Sequence, residues 1–228
     1  MVNKSNTAFQ SAAYRLKKEL GVSGMRFTER DLSFFSDLAK IGVISSEQIS
    51  KYHYQKNSKP LARIEKLVEV GLLKRHVTYH EKHGKTTAYV FNDQRVARVF
   101  DGFTPKIGNR TLRHEILVSE AYFSSGRPSN FKIASRFDER LYRKFNCHFE
   151  LGVRKPEYVR AMESVLPDAI FTNSNGEMVV VEADAGSYNR DEVKRKTAGW
   201  SEHKQLWVQD EGARAKVSEG VNVKVLRV

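Results

Sequence analysis

The chain has 228 residues, 40% of them hydrophobic and 29% charged, with a formal net charge of +12. That length suffices for one large domain or two small ones. The longest apolar runs are too short to span a bilayer, and the opening MVNKSNTAFQ lacks the apolar core of a signal peptide. The single cysteine, Cys147, excludes an internal disulfide and a Cys-rich zinc site, and the expectation is a protein of the reducing cytoplasm with no membrane partner. Residues 1–100 carry 18 Lys and Arg against 9 Asp and Glu, whereas residues 101–228 carry 21 against 18. A basic front half of this kind suits a polyanion-binding module, and nucleic acid is the default polyanion.

Residues 7–20 read as a short basic helix ended by Gly21 and Gly24. Thr28 caps the next helix, with Asp31 as the acidic partner of a capping box and Leu32, Phe34, Phe35, Leu38, Ala39 and Ile41 at helical spacing. Ser45-Ser46-Glu47-Gln48 starts another, and a third runs from about Ser58 to Val70, with Leu61, Ile64, Leu67 and Val68 inward and Gly71 closing it. LLKRHVTYHEKHGKTTAYVFN then alternates and turns at His83-Gly84-Lys85, a β-hairpin. Three helices and a hairpin are the order of a winged helix-turn-helix, whose third helix enters the major groove while the hairpin touches backbone or minor groove. Lys59, Arg63 and Lys66 on the third helix and Lys74, Arg75, Lys82 and Lys85 on the hairpin are the candidate DNA contacts, with Arg63 able to read a guanine edge. His53, His76, His80 and His83 come without cysteine partners and read as solvated or phosphate-facing.

Residues 101–109, DGFTPKIGN, mark the expected linker between a domain at 1–100 and a second at 110–228. Thr111–Ser124 reads as a helix burying Leu112, Ile116, Leu117, Ala121 and Tyr122 and carrying a His114-Glu115 pair; a strand follows near Phe131–Arg136. The basic segment beyond it interleaves Phe137, Tyr142, Phe145, Phe149 and Tyr158. That pattern suits stacking on single-stranded nucleic acid, and equally an amphipathic loop or helix. Cys147-His148 reads as packing.

Leu166–Asp184, LPDAIFTNSNGEMVVVEAD, reads as two strands joined by a turn at Asn173–Gly176. Met178–Val181 has the composition of a strand buried on both faces, yet Glu182 and Asp184 follow at its end with the same parity, and Asp168 opens the neighbouring strand. Three carboxylates at one end of a small sheet make a hard, oxygen-lined site suited to Mg²⁺ or Mn²⁺; the competing reading is a buried salt-bridge network with Lys194, Arg195 and Lys196. A basic helix at Arg190–Trp200, the strand QLWVQ, a short helical piece around Ala213–Glu219 and a closing strand VNVKVLRV complete the chain. The expected fold class is therefore α+β: an N-terminal winged helix-turn-helix followed by a restriction-endonuclease-like αβ core with a mixed central sheet.

The VLPDAIF…VVVEAD arrangement resembles the PD-(D/E)xK nuclease motif. Combined with TERDLSFFSDLAKIGVISSEQISKYHY, IEKLVEVGLLKR and LRHEILVSEA, it resembles the plasmid replication-relaxation proteins and MobC-type relaxases. The resemblance implies that Asp168 and Glu182 are metal ligands and that Asp184 occupies the position where a standard nuclease has lysine. It implies Glu115 as an outer acid beside His114, and Lys194 or Lys196 as the source of the missing cation. Water is the expected nucleophile, with Tyr188 the nearest candidate for a covalent route. The implied activity is Mg²⁺- or Mn²⁺-dependent nicking at a plasmid transfer origin or comparable mobile-element site. The implied partners are double-stranded DNA, locally single-stranded DNA at the cut, and accessory mobilisation proteins. The alternative is a catalytically silent, sequence-specific regulator of transcription or replication.

Overall fold

The structure is a computed structural model and describes residues 11, 14–18, 21, 25–54, 59–80, 84–108, 111–134 and 166–228. These residues form a mixed α+β arrangement with two sheets, and the chain divides into two compact units, Met1–Ser119 and Glu120–Val228. Among the described residues no helix is long and apolar enough to cross a membrane. The expected 135–136 end of a strand, the aromatic-basic segment with Cys147-His148, Lys82, His83, Gly24 and Ser58 lie outside the described residues, as do parts of the first helix.

In the first unit residues 14–18 are helical, Leu16 is buried, and Arg15 Nη2 donates to the Val99 carbonyl at 2.8 Å. Helix α1 (Glu29–Ile41) begins with the expected capping box: the Thr28 hydroxyl accepts from the Asp31 N–H and the Asp31 carboxylate accepts from the Thr28 N–H. It ends at Gly42, which takes φ 80 and where a Cβ would lie 2.6 Å from the Phe103 ring, so glycine is required twice over. Helix α2 (Ser46–Tyr52) starts with a second box, Ser45 with Gln48, and α3 (Pro60–Glu69) starts on a proline, whose missing N–H costs nothing there. Strands β2 (Leu73–His80) and β3 (Gly84–Phe91) form the expected hairpin, and β1 (Ile44–Ser45) pairs with the other edge of β3. The sequence reading had neither β1 nor the short helix α4 (Gln94–Arg98), which Asp93 caps by accepting from the Arg95 and Val96 N–H groups.

The apolar stripes converge as their spacing predicts. Phe34, Phe35, Leu38, Ile49, Ile64, Leu67 and Phe91 are fully buried, and Phe35 packs on Phe91 and Phe100. Asp31 sits among them with no exposed surface. Its carboxylate takes Arg63 in a two-pronged grip, Nε to Oδ1 at 3.0 Å and Nη2 to Oδ2 at 2.7 Å, and also accepts from the Tyr54 hydroxyl at 3.2 Å. Arg63 Nη2 donates in addition to the Arg26 carbonyl at 2.9 Å. The start of α1, the residue two past α2 and the first turn of α3 are thus pinned to one carboxylate. Arg63, expected to read a guanine, is instead committed to this tie.

Helix α5 (Leu112–Ser124) has its first turns in the first unit. Leu112 and Ile116 pack with Val43, Ala88 and Val90, the Ile116 carbonyl accepts from Gln48 Nε2 at 2.9 Å, and the Ser119 hydroxyl donates to the Val43 carbonyl at 2.6 Å. The division between the units falls inside this helix. The 101–108 part of the expected linker is hydrogen-bonded within the first unit: the Gly102 N–H donates to the Ala97 carbonyl at 2.9 Å and the Thr104 N–H to Gln94 Oε1 at 3.1 Å.

The second unit holds a five-stranded mixed sheet in sequential order: β4 (Lys132–Ile133), β5 (Ala169–Thr172), β6 (Met178–Asp184), β7 (Lys204–Gln209) and β8 (Val223–Arg227). The first three strands pair antiparallel and the last three parallel, and the β6–β7 crossover carries α6 (Arg190–Gly199), capped by Asn189. The helical piece expected around Ala213–Glu219 is absent. Ala213, Ala215 and Val217 are buried while Arg214, Lys216 and Ser218 are exposed, so burial alternates with period two and no helix could satisfy it.

Burial alone would raise the Asp31 carboxyl, but the Arg63 guanidinium and the Thr28 N–H overcome it and hold the group below its ordinary value. Replacing Asp31→Ala therefore removes a cap and leaves a part-buried cation without its partner, an expected loss of about 3 kcal/mol in urea denaturation at neutral pH. Because the folded-state value is depressed, the gap between wild type and variant is full above 3.8, the ordinary value, and closes as the pH falls through the lower one.

A buried acid and lysine cluster as the candidate active site

Strand β6 sets the geometry. Val180 lies in one cluster with Leu166, Ile170 and Trp200, so the even-numbered face of β6 is the one that α6 and its C-cap cover. Glu182 and Asp184 continue that face, both with no exposed surface. Asp168 stands one step beyond the Ala169–Val181 pair, which puts it opposite Glu182; its N–H donates to the Val181 carbonyl at 3.0 Å and its Oδ2 accepts from the Ala183 N–H at 2.7 Å.

Helix α6 delivers the cation. Lys196 and Trp200 are four residues apart and so share a face. Lys196 Nζ donates to Glu182 Oε2 at 2.6 Å, and Trp200 Nε1 donates to Oε1 of the same carboxylate at 3.1 Å. Lys196 is only 8% exposed. Of the two lysines that the sequence left open, the structure places Lys196 against the acids; Lys194, about 200° away around the helix, is exposed, as is Arg195.

Asp184 has a different task. Its Oδ1 accepts from the Gly186 and Tyr188 N–H groups at 2.8 and 3.2 Å, and its Oδ2 accepts from Gln209 Nε2 at 3.1 Å. It closes the turn that leads from β6 into α6. Gln209, fully buried, was missed in the sequence; the signal was a carboxamide closing the apolar run LWV. Glu115, the expected outer acid, belongs to the first unit, where it lies 3.7 Å from His114 Nδ1.

The electrostatics show that the acids are mutual neighbours. Glu182 is pushed up to about 8, by burial first and by the Asp168 charge second, against the lowering by Lys196 and Trp200. Tyr188 packs edge-on against Trp207 with the Lys196 ammonium 5.2 Å from its ring centre. Burial, then Asp168, Glu182, Asp184 and Glu192, drive its phenol far above the ordinary value. All three candidate carboxylates therefore act on one hydroxyl and keep it protonated, which disfavours Tyr188 as a nucleophile.

The donor chemistry of Asp168 and Glu182 suits a hard divalent ion. The arrangement is not an assembled metal centre: among the described residues no group of three or more His, Cys, Asp and Glu side chains is placed to hold an ion. Glu182 holds an ammonium and an indole N–H instead, so an ion would have to displace one of them.

In the first unit Lys59, Lys66, Lys74, Arg75 and Lys85 are exposed. Arg75 shares Glu65 with the Tyr89 hydroxyl, at 3.3 and 2.7 Å. Tyr79, 75% exposed, pairs across the hairpin with Lys85. No protein-family model matches the chain, and no curated protein matches it in sequence.

A carboxyl raised by folding stabilises the native state most fully at low pH, below 4.5, and that contribution is lost as the pH rises through the folded value near 8. Wild-type unfolding free energy is expected to decline from pH 5 towards pH 9, and Glu182→Gln to flatten that decline; thermal melts across the range measure it.

Proposed function

We propose that this is a DNA-processing protein: a winged helix-turn-helix that docks on duplex DNA, followed by a restriction-endonuclease-like core that nicks one strand with Mg²⁺ or Mn²⁺. The observation that carries the reading is Lys196. The motif resemblance left the lysine position filled by Asp184, and α6 brings a buried lysine to 2.6 Å from Glu182, giving two opposed acids and one cation at the end of a hairpin strand. The sheet order and the helix crossover between β6 and β7 are in keeping with such a core, and the exposed lysines of α3 and the hairpin with phosphate contacts. The plasmid or mobile-element setting rests on the resemblance of the front and rear motifs together.

An ion on Asp168 and Glu182 would polarise the scissile phosphodiester and lower the pKa of a bound water. The chain's own residues supply the rest. Lys196, released by Glu182, stands ready to meet negative charge building on the phosphate. Tyr188, its phenol raised by burial and by the surrounding acids, is disfavoured as an attacking group. Trp200 covers one side of Glu182 and keeps water from it.

A second reading, a catalytically silent sequence-specific DNA-binding regulator, is favoured by one observation: Asp168, Glu182 and Asp184 all accept hydrogen bonds from protein donors. Calorimetry with Mn²⁺, with and without duplex DNA, separates the two. The nuclease reading expects a binding isotherm that Asp168→Ala and Glu182→Ala abolish while DNA affinity persists. It also expects Lys196→Ala to keep metal binding and lose at least about 10²-fold in nicking of supercoiled plasmid. Absence of metal binding by the wild type even with DNA present would leave the regulator. In either case Lys66→Ala and Lys74→Ala are each expected to weaken DNA binding and to reduce its salt slope by about 1.

A further inference from the structure

A second basic feature lies in the nuclease-like unit, away from the buried acids. A cleft of about 840 Å³ opens between α6 and the segment after β7, and its rim carries Arg190, Lys194, Arg214 and Lys216 over an apolar floor that includes Val193 and Val217. No Asp or Glu lines it. Arg190 and Lys194 are one helical turn apart, roughly 6 Å along the axis. Arg214 and Lys216 share the exposed parity of the facing segment. Of the neighbouring acids, Glu192 caps α6 and Glu219 accepts from the Val225 N–H, while Asp191 and Glu211 are exposed and outside the lining. Among the described residues the side chains of Arg190, Lys194 and Arg214 make no ion pair or hydrogen bond, while the Lys216 ammonium donates to the Glu211 carbonyl.

Four cations facing one another with no acid between them repel, and they keep that cost when no anion is present. The small hydroxyls of Ser201 and Ser218 add neutral donors along the same rim. We infer that this cleft is a binding track for the sugar-phosphate backbone of DNA, separate from the α3 and hairpin surface of the first unit. Lys194, read from sequence as a catalytic lysine, then has a positioning role: it holds the strand rather than reacting with it. The inference rests on the DNA-processing reading and gives the second unit its own contribution to affinity.

The test is the salt dependence of binding to a fluorescein-labelled duplex, followed by anisotropy between about 50 and about 200 mM salt. The Arg190→Gln/Lys194→Gln/Arg214→Gln variant is compared with a charge-matched Lys132→Gln/Arg195→Gln/Lys224→Gln variant, all six positions being exposed and both variants checked by thermal melting. The cleft variant is expected to lower the slope of log K against log salt by about 2–3, and the control by less than 1. Equal slopes in the two variants, with wild-type binding intact, would overturn the cleft alone. Failure of the wild type to bind any duplex would overturn the DNA reading and the cleft with it.

Discussion

Lys196 and Glu182, 2.6 Å apart and both out of water, are the constraint around which the second unit is arranged. Taking two ions out of water costs several kcal/mol each, and their attraction repays that only with good geometry and further hydrogen bonds. Trp200 supplies one of those bonds, and Asp168 works against the pair by adding a second negative charge beside the first. A well-packed apolar pair would serve stability as well or better. The apolar packing of β5, β6 and α6 comes from Val180, Ile170 and Trp207 instead.

The first unit contains a second buried acid with a cation, and the comparison is instructive. Asp31 accepts three hydrogen bonds, two from Arg63 and one from Tyr54, besides its capping bond, its charge is matched by Arg63, and its carboxyl is held low. Glu182 has one cation and a second acid, Asp168, acting against it, and its carboxyl is raised. The same chemical pair is a satisfied tie in one place and an under-compensated cluster in the other. Orientation follows too: α3 is clamped at its first turn, so the face it offers to solvent is set by the exposed positions of Lys59, Ala62, Lys66 and Glu69.

Local signals were legible in the sequence. The capping box at Thr28, the helix start at Ser45, the pairing of the two hairpins and the shared parity of Glu182 and Asp184 depend mostly on residues near one another in sequence, and all of them form. What failed depends on tertiary partners. Arg63 was drawn as a base reader because nothing near it in sequence indicates that Asp31, 32 residues earlier, would take its guanidinium. Lys196 could not be separated from Lys194 because the choice is made by which face of α6 docks, and Val193 and Trp200 decide that. The stretch 213–219 has helix-forming residues, but its alternating burial and the bonds it makes to Gln209 hold it out of a helix. β1 is two residues long and has no period to detect.

Those bonds to Gln209 have a consequence of their own. One carboxamide donates to Asp184 Oδ2 and to the Ala215 carbonyl, and accepts from the Val217 N–H. The wall of the basic cleft and the turn that carries Tyr188 towards the acids therefore hang from a single side chain. Displacement of the 215–217 backbone strains a bond to Asp184, and movement of Asp184 strains the bonds to that backbone. The two places form one mechanical unit, and any free energy of coupling between them is the same whichever end is loaded first.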